Sequence, residues 1–512
     1  MLIKIEKGRI IILYFALLNK FYTFGADYSC RKMAEIIGRK TEIEELNRLY
    51  SSKKSQFVAV YGRRRVGKTY LINQVFKDKM AFHHTGLSPF DSNGKMTMSD
   101  QLQAFHYSLV RSGMDESVLC PKSWLEAFFM LEKLLVKLDT GRRQVVFIDE
   151  LSWMDTPRSG FLSALESFWN GWASNRDNIM LIVCGSSTTW MLSNLVNNYG
   201  GLYGRLTYEI KLSPFTLKEC DDYLKSNGIV MSQYDVTQAY MIFGGIPYYL
   251  GFFLPGLSLA QNVDRLLFSG DAVLGKEYDR LFRSLFVHWK EYQKVVSLLA
   301  SRHYGFTRDE ISKQCGISKG GGLSDILKSL IDSDFILKYK PILASRTTEY
   351  YRLCDPFCSF YMKFVADVNT DPQFLQNSQN LPSFVSWRGF AFEQVCMNHI
   401  KQIKTALGVS GVVSKESVLL IQGDKTMRGA QIDLIIDRND NVLNLCEMKF
   451  YKKEYALTQS DYFDFEEKIE FLAKHTSPNK NIHFTMVTTQ ALVHNEYFGI
   501  VQKIVTLNDL FK

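Results

Sequence analysis

The residue types and spacing between Gly62 and Thr69 are suited to gripping a chain of phosphates. Glycines let the backbone approach phosphates closely, and successive N–H groups together with a helix amino terminus attract an anion. Lys68 would reach the β- and γ-phosphates of a nucleotide, and the Thr69 hydroxyl would ligate Mg²⁺. The pattern predicts an ATP and Mg²⁺ site formed by Gly62, Arg63, Arg64, Arg65, Val66, Gly67, Lys68 and Thr69.

A pair of acids, Asp149 and Glu150, directly follows the apolar run 144–148. Open α/β sheets place their functional groups at the carboxyl ends of parallel strands. We therefore expect Asp149 to complete the Mg²⁺ shell and Glu150 to activate the attacking water as a general base. Two solvated acids at a strand end are the alternative, and the nearby phosphate loop argues against it.

Two further candidates are tied less closely to a motif. Ser186 or Ser187, after the apolar run 179–184, could sense the γ-phosphate by hydrogen bonding, or could cap the following helix. Arg205 could approach the phosphates from a lid or from a neighbouring subunit, or could be an exposed surface arginine. The sequence leaves these alternatives open.

A third group of chemically interesting residues lies near the carboxyl terminus. If the polar turn 438–441 centres on Asp440, residues whose numbers sum to 880 pair, which places Asp433 opposite Glu447. Glu447 and Lys449 are two residues apart on one strand and share a face. Two carboxylates with β-carbons ~5 Å apart repel one another unless a cation joins them. The hairpin therefore suits a hard divalent ion, with a structural ion pair as the alternative.

The elements that must position these residues follow from the apolar runs. Strands at 56–61, 144–148 and 179–184 and a helix at 70–76 predict an α/β fold with a parallel sheet. A helix around 389–400 carries Glu393 ahead of the acidic hairpin. The expected domains are an amino-terminal extension outside the fold (1–32), a phosphate-loop domain (33–250), a helical lid or connector (251–284), a winged-helix domain (285–366), a linker (367–383) and a carboxyl-terminal α/β domain (384–512).

Residues 285–366 predict three helices followed by two extended stretches, which is the pattern of a winged helix. Thr307 followed by Glu310 forms a capping box at the start of the second helix. A DNA-reading helix would offer donors near its amino end, but residues 318–322 read Ser-Lys-Gly-Gly-Gly. Nucleic-acid contact through lysines and a protein-interaction or interdomain role are both open.

The composition bounds the class of protein. The chain has 512 residues, is 46% hydrophobic and carries a net charge of +8 (61 minus 53), which excludes wholesale disorder and permits a nucleic-acid partner. Nine cysteines without a CxxC pair predict reduced thiols and a cytoplasmic location. The apolar run 10–18 would rise only ~14 Å as a helix against a ~30 Å hydrocarbon core. We expect no stable membrane insertion, and leave oligomerisation open.

Residues 33 to about 250 resemble the archaeal-type, STAND-related and AAA+-like P-loop ATPases. The boxes that carry the resemblance are IIGRKTEIEEL, YGRRRVGKT, VVFIDE, LIVCGSS, LYGRLTYEIKLSPF and GGIPYYL. The resemblance implies that this domain binds and hydrolyses ATP.

The pattern Asp433…Glu447-x-Lys449 resembles the PD-(D/E)XK nuclease superfamily. The resemblance implies that Asp433 and Glu447 bind Mg²⁺ or Mn²⁺, that Lys449 positions or deprotonates the hydrolytic water, and that Glu393 is a helper acid at the metal. Ile432 stands where the family has proline, which puts catalysis in doubt. We expect an ATPase whose nucleotide state controls a nuclease-like domain acting on nucleic acid. The alternative is an ATP-dependent switch or scaffold with an inactive nuclease fold.

Overall fold

In a computed structural model of the chain, the described residues are 36–89, 96–197, 200–342, 348–366, 371–421 and 430–512. The expected extension, 1–32, lies outside them. The chain divides into two compact units at Arg39, and the elements below all belong to the unit Lys40–Lys512. Among the helices described, none is both long and apolar enough to span a bilayer.

The first sheet has five parallel strands in the order β2-β3-β4-β1-β5. The strands are β1 (Gln56–Tyr61), β2 (Met80–Thr85), β3 (Gln144–Asp149), β4 (Ile179–Gly185) and β5 (Tyr208–Lys211). The helices of this region are α1 (Lys40–Tyr50), α2 (Lys68–Phe76), α3 (Met98–Arg111), α4 (Trp124–Lys137), α5 (Phe161–Gly171) and α6 (Thr188–Met191). Every residue of β1, β3 and β4 is buried, as expected of central strands covered on both faces.

Helices follow the first sheet and fill the expected connector. They are α7 (Leu217–Ser226), α8 (Gln233–Phe243), α9 (Pro247–Leu250), α10 (Leu259–Leu267) and α11 (Glu277–Leu285). Capping boxes begin α7 at Thr216 and α10 at Ser258, so side chains satisfy the free N–H groups of both helix starts. The connector therefore has its own helical structure.

A small module of helices and short strands comes next. Its elements are α12 (Trp289–Ala300), β6 (Phe306–Thr307), α13 (Arg308–Cys315), α14 (Gly321–Asp332), β7 (Ile336–Tyr339) and β8 (Tyr350–Leu353). The three strands form an antiparallel sheet in the order β6-β8-β7. The predicted capping box of Thr307 and Glu310 is confirmed. This module has the three helices and two longer strands that the sequence predicts, with β6 as an additional short strand.

Structure continues through the described part of the expected linker. Helices α15 (Pro356–Phe364) and α16 (Phe374–Ser378) precede α17 (Pro382–Asn398), which begins inside it. The side chain of Asp264 in α10 accepts a hydrogen bond from the Leu375 N–H (2.6 Å), and Leu375 is buried. Residues 371–383 therefore differ from an extended linker, because apolar side chains and a buried carboxylate fix them on α10.

The second sheet has five strands in the order β13-β12-β11-β10-β9. Its elements after α17 are α18 (Ile400–Ala406), β9 (Ser414–Ile421), β10 (Ala430–Arg438), β11 (Val442–Lys449), α19 (Gln459–His475), β12 (Asn481–Thr488), β13 (Lys503–Thr506) and α20 (Leu507–Leu510). β10 and β11 are antiparallel, and Leu434 pairs with Cys446, so the predicted sum of 880 is confirmed. Asp433 and Glu447 lie one position beyond that pair.

Candidate functional site

The phosphate loop joins β1 to α2 and has an unusual backbone. Gly62, Arg65 and Gly67 have φ angles of 139°, 74° and 94°. A β-carbon at Gly62 would be driven into the carbonyl oxygen of Leu212, so only glycine fits there. The loop therefore depends on backbone shape as well as on its side chains.

Lys68 and Thr69 begin α2 at the end of this loop. The Lys68 ammonium donates to the carbonyl oxygens of Gly62 (2.9 Å) and Arg63 (3.0 Å), so it lies inside the loop where phosphates would meet it. The Thr69 hydroxyl donates to Asp149 Oδ2 (2.7 Å). The two side chains predicted to hold Mg²⁺ are in direct contact. In the sheet, β4 lies between β1, which leads to Thr69, and β3, which ends at Asp149.

Glu150 and Ser186 are joined at the same edge of the sheet. Glu150 has a left-handed backbone with φ 48°, and its Oε2 accepts hydrogen bonds from the Ser186 N–H (3.0 Å) and hydroxyl (2.8 Å). Ser186 is thus connected to the predicted general base. Ser187 occupies the N-cap position of α6, but its side chain makes no cap hydrogen bond.

Arg205 does not join the site of its own chain. It is exposed in the turn before β5, and the Thr207 N–H two residues later bonds the Phe57 carbonyl (2.8 Å) near the start of β1. The phosphate loop follows the other end of β1, about 16 Å away at ~3.3 Å per residue. Parallel strands present their carboxyl ends to the phosphates, so the structure places Arg205 away from its own phosphate loop. A role for Arg205 at its own nucleotide or at that of a neighbouring subunit stays a prediction.

Two arginines of the phosphate loop are bound to residues far along the chain. Arg63 forms an ion pair with Asp355, and both side chains are almost fully buried. The nearby carboxylate raises the pKa of Arg63 against the opposing effect of burial. Arg65 forms an ion pair with Glu277 of α11 and lies over the Tyr248 ring (4.1 Å). Sequence reasoning assigned these arginines to the nucleotide only and missed both partners.

The carboxyl-terminal candidates share one cavity of about 430 Å³. Helix α17 contributes Glu393, and strands β10 and β11 contribute the others. The lining includes the four predicted residues Glu393, Asp433, Glu447 and Lys449, together with Gln431, Asp464 and Lys468. We call this cavity the acid pocket. The last three of these residues were missed by sequence reasoning, although the i, i+4 spacing of Asp464 and Lys468 on a helix was a usable signal.

Burial and mutual repulsion perturb the acids of the pocket. Burial first, and then the charge of Glu447, raise the pKa of Asp433 to about 7. Burial, followed by Asp433 and Glu447, raises the pKa of Glu393 well above its usual range. These acids resist ionising together, which is the behaviour expected where carboxylates lack a neutralising cation.

Two lysines offset part of the negative charge of the acids in the pocket. Glu447 lies between Lys449 (3.1 Å) and Lys468 (3.1 Å), and Lys468 also pairs with Asp464 (2.9 Å). In the part of the chain that the structure describes, no three His, Cys, Asp or Glu side chains stand together at the spacing of metal ligands.

The acid pocket also contacts the small helix–strand module. His303 Nε2 is hydrogen bonded to Gln431 Oε1 (2.8 Å), and the Gln431 amide reaches Asp433 Oδ1 (3.4 Å). From the same module, the charge of Arg352 in β8 partly offsets the raised pKa of Glu393. The module therefore lies against the acid pocket, and Asp355, two residues after its last strand, contacts the phosphate loop.

Among known proteins, one family model matches the region of the first sheet, and one relative matches most of the chain. A family model described as an ATPase domain predominantly from Archaea matches residues 36–253. An uncharacterised protein of Methanocaldococcus jannaschii, MJECL04, is 24% identical over 421 residues, which cover 81% of this chain and 87% of the relative. An uncharacterised ATP-binding protein of that organism, MJ0423, is 44% identical over 43 residues, which cover 8% of this chain and 73% of the relative.

Two solved structures are similar to the chain at lower sequence identity than these relatives. The Walker-type ATPase PABY2304 of Pyrococcus abyssi matches with a TM-score of 0.45 and 17% identity, over 64% of this chain and 96% of that one. The Aeropyrum pernix ORC2 protein matches with a TM-score of 0.41 and 15% identity, over 65% and 96%. These scores are too low to support an argument about function. The family match and the phosphate-loop geometry agree, and residues 36–253 form an ATP-binding domain that is similar to the ATPase domain found predominantly in Archaea.

Proposed function

We propose that the chain is a Mg²⁺-dependent, STAND-related ATPase whose nucleotide state controls a PD-(D/E)XK-like site acting on nucleic acid. The observation that carries the proposal is the convergence of Glu393, Asp433, Glu447 and Lys449 on one pocket from three elements. Side chains with no role in common seldom gather their charges at one buried place, because burying unpaired charge is costly.

At the nucleotide site, the loop amides and Lys68 would bind the phosphates of ATP. Thr69 and Asp149, already in contact, would hold Mg²⁺, which neutralises charge on the phosphates. Glu150 would take a proton from the attacking water, and Ser186 orients its carboxylate through two hydrogen bonds.

At the acid pocket, the donor set fits a divalent cation that prefers oxygen ligands. Burial, and then repulsion among the acids, raises the pKa values of Asp433 and Glu393, and such an ion would relieve the repulsion. Asp433 and Glu447 would hold Mg²⁺ or Mn²⁺, with Glu393 as the helper acid. The bound ion would supply electrophilic stabilisation of a phosphate. Lys449, which lies beside Glu447, would position or deprotonate the water.

For the small module, a winged helix, the contacts favour an interdomain role over DNA reading. Lys319 pairs with Asp309 and Lys338 with Glu349, both at 2.9 Å, so two lysines that could contact phosphates already lie beside carboxylates. Helix α14, the candidate reading helix, packs on α6 of the ATPase domain. We infer that the module transmits the nucleotide state, from Asp355, which directly follows it, to His303 at the acid pocket.

The test is cleavage of plasmid and single-stranded DNA with Mg²⁺ or Mn²⁺, with and without ATP. Asp433→Ala should abolish cleavage, and Lys68→Ala should abolish only its dependence on ATP. The control is Asp440→Ala, which removes an exposed acid at the hairpin turn, outside the pocket. Equal cleavage by wild type and Asp433→Ala would contradict the proposal.

The second candidate function is an ATP-dependent switch whose nuclease-like fold only binds a partner. The observation that favours it is the position of Glu447 between Lys449 and Lys468, because two ammonium groups can satisfy that carboxylate without a metal. The variant Lys449→Ala distinguishes the two candidate functions. Loss of cleavage with retained binding supports the nuclease, whereas absence of cleavage in wild type and variant alike supports the switch.

A further inference from the structure

The rim of the acid pocket carries exposed apolar side chains. Phe390 and Tyr451 line it and are 41% and 38% exposed, and Val385 beside them is 48% exposed. A pocket devoted only to a hydrated ion has no need of rings, and exposing them to water is unfavourable. The rim therefore indicates a ligand that has apolar faces of its own.

Each exposed ring is fixed by a second ring stacked on one side. Phe390 stacks on His303 with centroids 4.2 Å apart, and Tyr451 stacks on Tyr455 at 4.3 Å with the planes within 7°. The Tyr451 N–H also donates to the Thr489 hydroxyl (2.9 Å), which holds its backbone. Both rings are therefore held in place before a ligand arrives, and less side-chain entropy is lost when it binds.

Behind the rim, the charged lining suits a phosphate only when a cation is present. Four acids (Glu393, Asp433, Glu447 and Asp464) face two lysines (Lys449 and Lys468). When all six groups are ionised they carry an excess of two negative charges, which would repel a phosphate and which one divalent ion would balance. Beyond Tyr451, the exposed Lys452 and Lys453 add positive charge along the chain.

We propose that the acid pocket takes nucleic acid as a single strand, with an unstacked base on Phe390 or Tyr451 and its phosphate at the acids. This inference rests on the proposed function, since it names the substrate class of the same site. Bases in a duplex stack on one another and present only their edges, whereas single-stranded bases have free faces for aromatic rings. A cavity of about 430 Å³ has room for one unstacked nucleotide but not for a base-paired duplex.

The experiment measures binding to the full chain by fluorescence anisotropy with Ca²⁺ as the cation. The probes are a labelled oligothymidylate and a hairpin duplex of equal length. We expect tighter binding of the single strand. We expect Phe390→Ala or Tyr451→Ala, whichever removes the ring that holds the base, to weaken it by about 5- to 150-fold, the equivalent of losing one stacked base. Tyr451→Phe keeps the ring and should bind as wild type does.

Phe463→Ala is the matched control, because Phe463 is 57% exposed on α19 but does not line the pocket. Phe390→Trp tests the same position without removing its packing on His303, and should retain binding if Phe390→Ala fails to fold. Equal affinity for both probes, with Phe390→Ala and Tyr451→Ala matching Phe463→Ala, overturns this inference alone. Failure of the wild type to bind either probe removes the proposed function as well.

Discussion

Replacing Asp355 by asparagine removes one charge from the buried pair with Arg63 and changes little else. The Asp355 carboxylate also begins α15 by accepting a hydrogen bond from the Cys358 N–H (2.7 Å). Asparagine caps helices as well as aspartate does, so the cap is retained. Arg63 is 2% exposed, and its Nε and Nη2 atoms already have no hydrogen-bond partner in the described structure. The substitution therefore leaves a buried guanidinium without its counter-charge.

The expected cost is large because the pair is buried. Removing one partner of a buried ion pair typically costs about 3–5 kcal/mol. The chain can avoid part of this cost only by moving Arg63 into water, and Arg63 is part of the phosphate loop. We therefore expect a free energy of unfolding lowered by several kcal/mol, or a Kd for ATP raised about tenfold or more, which corresponds to ~1.4 kcal/mol.

The assay combines urea denaturation with calorimetric titration of ATP. The matched control is Glu349→Gln, which makes the same kind of charge removal at the Lys338–Glu349 pair, where the side chains are 44% and 46% exposed. An exposed pair contributes ~0–1 kcal/mol, so this variant should resemble wild type. If Asp355→Asn is no less stable than Glu349→Gln and binds ATP with wild-type affinity, the reasoning from burial is refuted.

Three further outcomes follow from the geometry. Glu150→Gln should still bind ATP in calorimetry but lose about 10²- to 10⁴-fold in hydrolysis, and an unchanged hydrolysis rate would exclude Glu150 as the base. Gly62→Ala should abolish ATP binding, because its φ of 139° and the Leu212 carbonyl leave no room for a β-carbon, and wild-type affinity would contradict the loop geometry. His399 is buried, accepts from the Leu217 N–H (2.9 Å) and donates to the Val395 carbonyl (2.7 Å). Burial lowers the pKa of His399 to about 4, whereas histidine in an unfolded chain has a pKa of about 6.5. The free energy of unfolding is therefore highest above pH 6.5 and falls by up to about 3 kcal/mol as the pH is lowered toward 4. In urea denaturation, His399→Gln should make the free energy of unfolding less dependent on pH. If the slope of this free energy against pH is unchanged, other groups cause the dependence.

The nucleotide site could be predicted from the sequence because its determinants are local. A buried strand, a glycine-rich turn and a helix follow one another between Gln56 and Phe76, and β1 occupies the predicted residues. The hairpin register of Leu434 and Cys446 was also predictable, because a short turn fixes the pairing of both strands. Neither inference needed knowledge of distant residues.

The remaining features depend on which distant elements meet. Lys468 enters the acid pocket from a helix that follows the hairpin. The i, i+4 spacing of Asp464 and Lys468 marks one face of that helix, but nothing local shows that this face turns to Glu447. Asp355 meets Arg63 only because α15 packs behind the phosphate loop. No local pattern fixes the place of Arg205, and the sheet topology puts it near the amino end of β1, away from the phosphate loop.

The contacts of residues 352–355 predict that ATP binding at the phosphate loop and cation binding at the acid pocket affect each other. At one end of this short stretch Asp355 holds Arg63 of the phosphate loop, and at the other the charge of Arg352 acts on Glu393. Arg352 is 8% exposed, so neither end can move without displacing packed neighbours. Binding linkage is reciprocal, so if ATP changes the affinity of the acid pocket for a cation by some factor, the cation must change the affinity for ATP by the same factor. A coupling carried by this stretch should therefore disappear from both titrations together in Asp355→Asn, whereas a loss confined to ATP binding would mean that Asp355 only supports the phosphate loop.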